Sequence, residues 1–493
     1  MIAWLPIAQM VLILSIALMS PLTRNPRFMT VSLGVGLIIN GLIGGFLLVH
    51  VLESGPIILN LGGHASFLGI EFIIDAFSAL FTLFVTGVGL FVHLYSLGYL
   101  SHSLHANQIA PYYGLLALLY FGVFGLLYTN DLFNTYVFIE ILSITTCAII
   151  SIARKKRNYM AAFRYLMLNE LGSLSFLMGI ALLYMITGTL NMSLIHEALP
   201  GQYAVYPINV TLALGFIGVG LAMKSAIFPF HEWLPDAHSS APAPSSALLS
   251  GVVVKLYLLV IVKMIFRVFG IGIVDALNAP LVMTTFAVVA MILGSLFALG
   301  QKDVKRMLAY STVSQVGYIL LALSLLSVAG LEVMFFYIFS HALIKGTLFL
   351  VTGATISHQK KRSVRAYQGL GYVMPLSMTA FSLAAFGMVG IPGTSGFVAK
   401  FQIATAFLDQ GQNLFVWVLI VSSVLNAIYY FPIVINGFVT ANEGIDVHME
   451  KIPMSMRLTL GVFVMGIFIL GFAPGLIMPV IEAAAAVMGG GLS

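Results

Sequence analysis

Apolar runs of about twenty residues, separated by short polar stretches, recur along this chain from end to end. A helix rises about 1.5 Å per residue, so roughly twenty apolar residues cross a hydrocarbon core of about 30 Å. The pattern predicts about 14 spans, near 2–20, 30–52, 72–99, 111–128, 132–152, 161–187, 208–240, 243–266, 281–300, 307–329, 333–356, 372–409, 413–440 and 458–480. Membrane β-strands would be about 10 residues long and alternate in polarity. These runs do neither, so the expected fold class is all-α, a polytopic membrane protein.

Composition agrees. The chain has 493 residues, 60% of them hydrophobic and 8% charged, with a mean hydropathy of +1.05. Soluble domains carry far more charge. No basic residue precedes the first apolar run, which therefore reads as a span and not a cleavable leader. Strict alternation with the N-terminus outside gives the inner loops sixteen of the 22 Lys and Arg: Arg24 and Arg27; Arg154–Arg157 and Arg164; Lys302, Lys305 and Arg306; Lys360–Arg362 and Arg365; Lys451 and Arg457. That is the positive-inside asymmetry of a cytoplasmic, prokaryotic-type membrane, and it puts both termini outside. The net charge of +5 follows from topology and is no sign of nucleic-acid binding. The RKKR run at 154–157 reads as a solvated topogenic loop.

Two spans are too long and are interrupted. One breaks at Phe228-Pro229 and continues through FPFHEWLPDAHSSAPAPSSALLS; the other breaks in FGMVGIPGTSGFVAKF at Pro392 with its neighbouring glycines. Proline removes a helix hydrogen bond, and in lipid the freed backbone groups need partners in protein or a wet cavity. The plainer reading of the first break is an interfacial loop. Lys224 argues against it, lying inside the apolar run GFIGVGLAMKSAIF. The broken spans are seventh and twelfth, each fourth in a group of five. Spans 4–8 (111–270) and 9–13 (281–440) then form two inverted repeats, with 1–110 before them and a last helix in 441–493. Ion sites form at broken helices in such repeats.

Charges at membrane depth are costly, about 2.5–3.5 kcal/mol each on insertion scales, and are functional candidates by default. Glu140 lies nine residues past Asp131, about 13 Å into its helix. Paired with Lys224, each lowers the cost of the other's charge; a pair that opens and closes would switch the amine between holding and releasing a proton. A purely structural ion pair is the alternative. Lys255 lies too deep for easy snorkelling, which does suit Lys263 and Arg267 at the far end of its helix. His341 and Lys345 stand at i, i+4 on one helix face and suit a relay; His341 as a neutral packing residue is the alternative. Lys400 follows the second break. His231, Glu232, Asp236 and His238 form a possible entry network. Asp75 reads as an interfacial residue, and Glu170 as a partner for Arg164. Lysines and histidines suit protons better than a metal cage, which wants several oxygen ligands; sodium at the carbonyls of a broken helix stays open.

Cys147 is the single cysteine, which excludes internal disulfides and Cys-ligated clusters. No nucleotide-binding motif is present. The chain is expected to hold no cofactor, and any electron transfer that drives it to run in a partner subunit. Two other classes stand as alternatives. A stand-alone solute transporter would need an identifiable substrate pocket. A passive scaffold would tolerate loss of Lys224 and Lys400.

The stretches DLFNTYVFIEILSI, AAFRYLMLNELGS, YMITGTLNM, AMKSAIFPFHEWLPDAHSSAPAPSSALLSGVVVKLY, QKDVKRMLAYSTVSQVGY, FSHALIKGTLFL and GIPGTSGFVAKF make the chain resemble a known family. It is the antiporter-like membrane subunits shared by respiratory complex I, Mrp-type sodium/proton antiporters and membrane-bound hydrogenases. The lysine at 400 and the short C-terminus look nearest the Mrp D-type subunit. The resemblance implies a proton-translocating subunit, with exchange for sodium as the open variant, working beside homologous membrane subunits. It implies that Glu140 pairs with Lys224, that Lys255 bridges, that His341 and Lys345 relay, and that Lys400 ends the line. The type of complex, NADH-quinone oxidoreductase, hydrogenase or antiporter, stays open.

Overall fold

The computed structural model describes residues 2–23, 25–63, 69–439 and 452–490. Arg24, Lys451 and both chain ends, which entered the expected orientation, lie outside the described residues. The rest is a helical membrane bundle. Among the described residues, twelve helices are long and apolar enough to cross a membrane, from Ile2–Met19 to Met454–Phe472. The other two expected spans also fall on helices. Val304–Leu323 carries Lys305, Arg306 and a run of hydroxyl side chains, but nearly all of it is buried, so it has no need to be apolar towards lipid. The span at 372–409 is two half-helices, Pro375–Val389 and Ser395–Asp409.

Two elements depart from the expected pattern. Residues 72–74, counted as the start of the third span, belong instead to a strand, Ile70–Ile74, that pairs antiparallel with Ile57–Leu61. The helix starts only at Ala76, where Asp75 and Ser78 form a reciprocal capping box. The other is a further short helix, Met478–Gly489, after the last expected span.

The helices form a graded bundle. Pro26–Ser54 and Ala279–Leu299 have only 33% of their apolar stretch buried, whereas Ala243–Phe269 and Val328–Gln359 have 94%. The two central helices bear Lys255, His341 and Lys345. Ala243–Phe269 contains two π-helical turns, Leu249–Val253 and Met264–Phe269. Such turns are frequent at functional sites.

The ends of the bundle are tied by matching devices. At one end Asp131 caps Leu132–Ser151 through the Asn134 amide at 2.6 Å. Beside it the Leu132 amide donates to the Leu190 carbonyl and the Met192 amide to the Asn130 carbonyl, both at 2.9 Å. At the other end Asp303 caps Val304–Leu323, and Val304 and Val364 donate to Arg362 and Lys302 at 3.0 Å. The partners correspond at one shift of 172 positions: 130 to 302, 132 to 304, 190 to 362 and 192 to 364. The helices that follow match in length, 20 residues for Leu132–Ser151 and Val304–Leu323, 32 for Lys156–Thr187 and Val328–Gln359.

Charge separates the ends. Around Asp303 gather Arg157, Arg306 and Arg362; Asp236 pairs with both Arg164 at 2.7 Å and Arg306 at 3.0 Å. Around Asp131 lie Glu71, bonded by the Asn130 and Asn191 amides, and the Asp75–Arg267 ion pair. Asp75 and Arg267 are 1% and 6% exposed, so neither sits at the interface nor snorkels as their places in the sequence suggest. The carboxylate is taken up by a helix start and a guanidinium at once, which makes burial tolerable. Breaking such a pair strands a buried charge. Asp75→Ala is therefore expected to cost about 3–5 kcal/mol, read as a lower unfolding midpoint of the purified protein in detergent. An unchanged midpoint would contradict this account of the pair.

Candidate functional site

The first half-helix, Pro207–Lys224, ends four residues before Phe228, earlier than the proline suggests. Ala226 takes a left-handed φ of 53°, and the Ile227 amide returns to the Ala222 carbonyl at 3.0 Å. That is the closing bond of a Schellman cap. The second half-helix ends the same way at Gly390, φ 92°, with Ile391 bonded to Phe386 at 3.0 Å. Trp233 Nε1 caps the Met223 carbonyl at 2.9 Å; Lys400 Nζ caps Met388 and Val389 at 2.9 and 3.1 Å. Carbonyls at a helix C-terminus carry partial negative charge, so a cation suits them.

Lys224 is the last residue of its half-helix and is 1% exposed. Its ammonium donates to Ser143 Oγ at 2.6 Å and stands 3.7 Å from Glu140 Oε1. At 3.7 Å the ions attract without a direct hydrogen bond. Glu170 lies against Glu140. It is not paired with Arg164, which reaches Asp236 instead. Tyr165 and Tyr257 also lie against Ser143.

Lys255 Nζ donates to the Ser250 carbonyl in the π-helical turn at 2.7 Å, and Ser250 Oγ meets Thr312 Oγ1 at 2.9 Å. Lys345 Nζ donates to the Leu308 carbonyl at 2.9 Å and to Tyr430 Oη at 3.2 Å. His341 lies in the field of both lysines. It is fully buried, and neither ring nitrogen has a hydrogen-bond partner. Unmade bonds of this kind are costly and uncommon in a purely structural core. Lys400 Nζ also donates to Ser423 Oγ at 3.1 Å and lies 4.8 Å from the Tyr318 ring centroid.

The four residues of the expected entry network are not brought together. His231 stacks on Phe228 with centroids 5.0 Å apart, Glu232 is exposed, and Asp236 clamps Arg164 and Arg306. His238 points inward, stacked on Phe349 at 4.8 Å, in the field of Lys305, Lys345 and Lys255, again with both ring nitrogens unpartnered. Sequence reasoning missed Lys305 here. Counted as a loop charge, it is 3% exposed and donates to the Ala241 carbonyl at 2.8 Å. The signal was available: it lies two residues past Asp303, inside the helix that this residue caps. Lys263 is likewise buried and does not snorkel. It donates to the carbonyls of Leu126, Leu127 and Thr129 at 2.9, 2.8 and 2.8 Å.

Residues 129–426 match the family model described as NADH:quinone oxidoreductase/Mrp antiporter, TM, and residues 65–108 match that of the complex I chain 5 N-terminus. NADH-quinone oxidoreductase subunit N of Desulforudis audaxviator (strain MP104C) is 35% identical over 416 residues, 82% of either chain. A chain of the membrane-bound sulfane sulfur reductase, an archaeal respiratory membrane complex, superposes with a TM-score of 0.89 at 29% identity, covering 99% of this chain and 97% of that one. A chain of the Mrp complex from Dietzia sp. DQ12-45-1b shares the fold with the same TM-score at 24% identity, over 99% and 97%.

The geometry separates two kinds of buried lysine. Lys263 has three carbonyl acceptors, a full complement for an ammonium, and serves the end of the Ala106–Tyr128 helix. Lys263→Met is expected to lower the thermal midpoint of the complex while leaving transport per assembled complex at the parent rate. Loss of transport at full assembly would place Lys263 in the ion path instead.

Proposed function

The chain belongs to the NADH:quinone oxidoreductase/Mrp antiporter family of membrane subunits, and on that premise we propose how it works. It is a proton-translocating, antiporter-like subunit of a multisubunit membrane complex. Protons move along Glu140, Lys224, Lys255, His341, Lys345 and Lys400. The observation that carries this reading is Lys224: buried, at the end of a broken half-helix, held by Ser143 and facing Glu140 across 3.7 Å. When the carboxylate is close the ammonium is favoured. When it swings away, towards Glu170, burial favours release of the proton. The amine then hands its proton towards Lys255 and the two unpartnered imidazoles, His238 and His341. A neutral imidazole accepts at one nitrogen and donates at the other, so these rings suit a relay between amines.

Partner subunits supply the drive, by electron transfer or by ion flux. The chain holds no cofactor of its own, and homologous antiporter-like subunits stand beside it. Sulfane sulfur reductase, Mrp complex and NADH-quinone oxidoreductase, the assemblies of its relatives, are the three settings this predicts. The chain lies in a cytoplasmic membrane with its N-terminus outside. The gathering of Arg157, Arg164, Arg306 and Arg362 at one end of the bundle supports that orientation. Residues 111–270 and 281–440 are inverted repeats, supported by the same hydrogen-bond pattern recurring at opposite ends of the bundle. The entry side is the Asp236 end, with Glu232 at the surface, His231 buried against Phe228 and His238 leading inward.

Proton uptake by vesicles carrying the whole complex tests this. Glu140→Gln, Lys224→Ala and Lys400→Ala are each expected to cut the coupled rate by at least about a hundredfold, the scale of a lost proton-transfer group, with the complex still assembled. Parent rates in all three would leave the scaffold reading standing.

A further inference from the structure

Lys345 and Lys400 sit on different helices, and hydroxyl groups fill the space between them. Ser311 and Tyr318 share one face of Val304–Leu323 at i, i+7; Ser422, Ser423, Asn426, Tyr429 and Tyr430 share one face of Asn413–Phe438. From the Lys345 side, Nζ meets Tyr430 Oη at 3.2 Å, Tyr430 Oη meets Ser311 Oγ at 3.0 Å, and Ser311 Oγ meets Tyr429 Oη at 3.0 Å. From the Lys400 side, Nζ meets Ser423 Oγ at 3.1 Å, and the Tyr318 hydroxyl lies against Ser423 and Asn426. Ser311, Tyr318, Asn426 and Tyr430 are each at most 1% exposed.

The two halves meet at Asn426. Tyr429 donates its single hydroxyl proton either to Ser311 or to Asn426 Oδ1. On the other side of the amide, Asn426 Nδ2 and the Tyr318 hydroxyl are buried without a well-aligned hydrogen bond. Stranded groups of this kind are costly, so a rearrangement that pairs them is favoured. A hydroxyl donates and accepts at once; a side-chain amide has no proton to pass on from its oxygen, so Asn426 can only hold its neighbours.

We propose that Tyr430, Ser311, Tyr429, Tyr318 and Ser423 form a hydroxyl relay carrying the proton from Lys345 to Lys400, with Asn426 as the positioning residue that opens and closes its joint. The proposal rests on the proton line described above. The Lys345 ammonium gives a proton to the Tyr430 oxygen as Tyr430 gives its own to Ser311 and Ser311 its own to Tyr429. With the joint closed, Tyr429 passes its proton to Tyr318, Tyr318 to Ser423, and Ser423 to the free amine of Lys400. Each hydroxyl gains one proton and loses one. Lys345 ends neutral, Lys400 ends charged, and no other bond changes.

The test uses the assembled complex in vesicles, with proton uptake in H2O and D2O. Tyr430→Phe keeps the ring and removes the hydroxyl; Ser311→Ala does the same at the next station. Each is expected to slow uptake at least about tenfold and to raise the solvent isotope effect, because the interrupted transfer becomes rate-limiting. Tyr372→Phe, whose hydroxyl bonds only the Phe438 carbonyl at the rim, controls for loss of a tyrosine hydroxyl as such and keeps the parent rate and isotope effect. If Tyr430→Phe fails to assemble, Ser311→Ala decides. Parent rate and isotope effect in the assembled variants overturn the relay. If Lys345→Ala and Lys400→Ala are inactive in that case, the proton line itself survives; if they too run at the parent rate, both fall.

Discussion

An ammonium in the middle of a membrane protein must be given acceptors by the protein itself, and that constraint organises this molecule. Lys255, Lys263, Lys305, Lys345 and Lys400 are each nine-tenths or more buried, and each donates to at least one backbone carbonyl. A continuous helix has few carbonyls to spare. For Lys263, Lys305, Lys255 and Lys400 they come from helix ends, a π-helical turn and a break, whereas Lys345 takes the mid-helix carbonyl of Leu308. Met388 and Val389 are the last residues before the second interruption, and Ser250 lies within a π-helical turn. The irregular backbone and the buried charge are therefore two sides of one arrangement.

Lys224 breaks the pattern. Its acceptors are side chains, Ser143 and Glu140, on a neighbouring helix. A carbonyl at a helix end is fixed; a glutamate can swing. This amine alone, among the buried lysines described, has a carboxylate within 4 Å. The line of amines thus has one station whose charge depends on a mobile partner and several whose surroundings are rigid. That asymmetry suits a switch at one end and a conduit beyond it.

Much of this was legible from periodicity and charge. The apolar runs mark the helices because lipid demands it. Lys224, Lys255, Lys345 and Lys400 stand out because hydrocarbon tolerates no casual lysine. What stayed hidden depends on partners far away in the chain. Asp75 looks interfacial until Arg267, 192 residues later, comes to meet it. Glu170 seems to belong to Arg164 until Asp236 takes that arginine. Lys305 looks like one more loop cation because its burial comes from residues 241–246 packed over it. The end of the strand Ile70–Ile74 was lost at the start of an apolar run, since a buried strand and a helix start share the same residue types. His231 to His238 read as one polar cluster along the chain, but a short helix turns them to different sides.

The central claim is that buried amines carry the transported proton. Lys255 tests it most directly, since it sits in one of the two most enclosed helices, has no carboxylate within salt-bridge distance, and is not needed to cap a broken half-helix. The measurement is proton uptake by vesicles holding the complete complex with Lys255→Met, which keeps an unbranched side chain only one atom shorter and removes its charge. The account predicts full assembly and uptake at the level of empty vesicles. Uptake at the parent rate would contradict it.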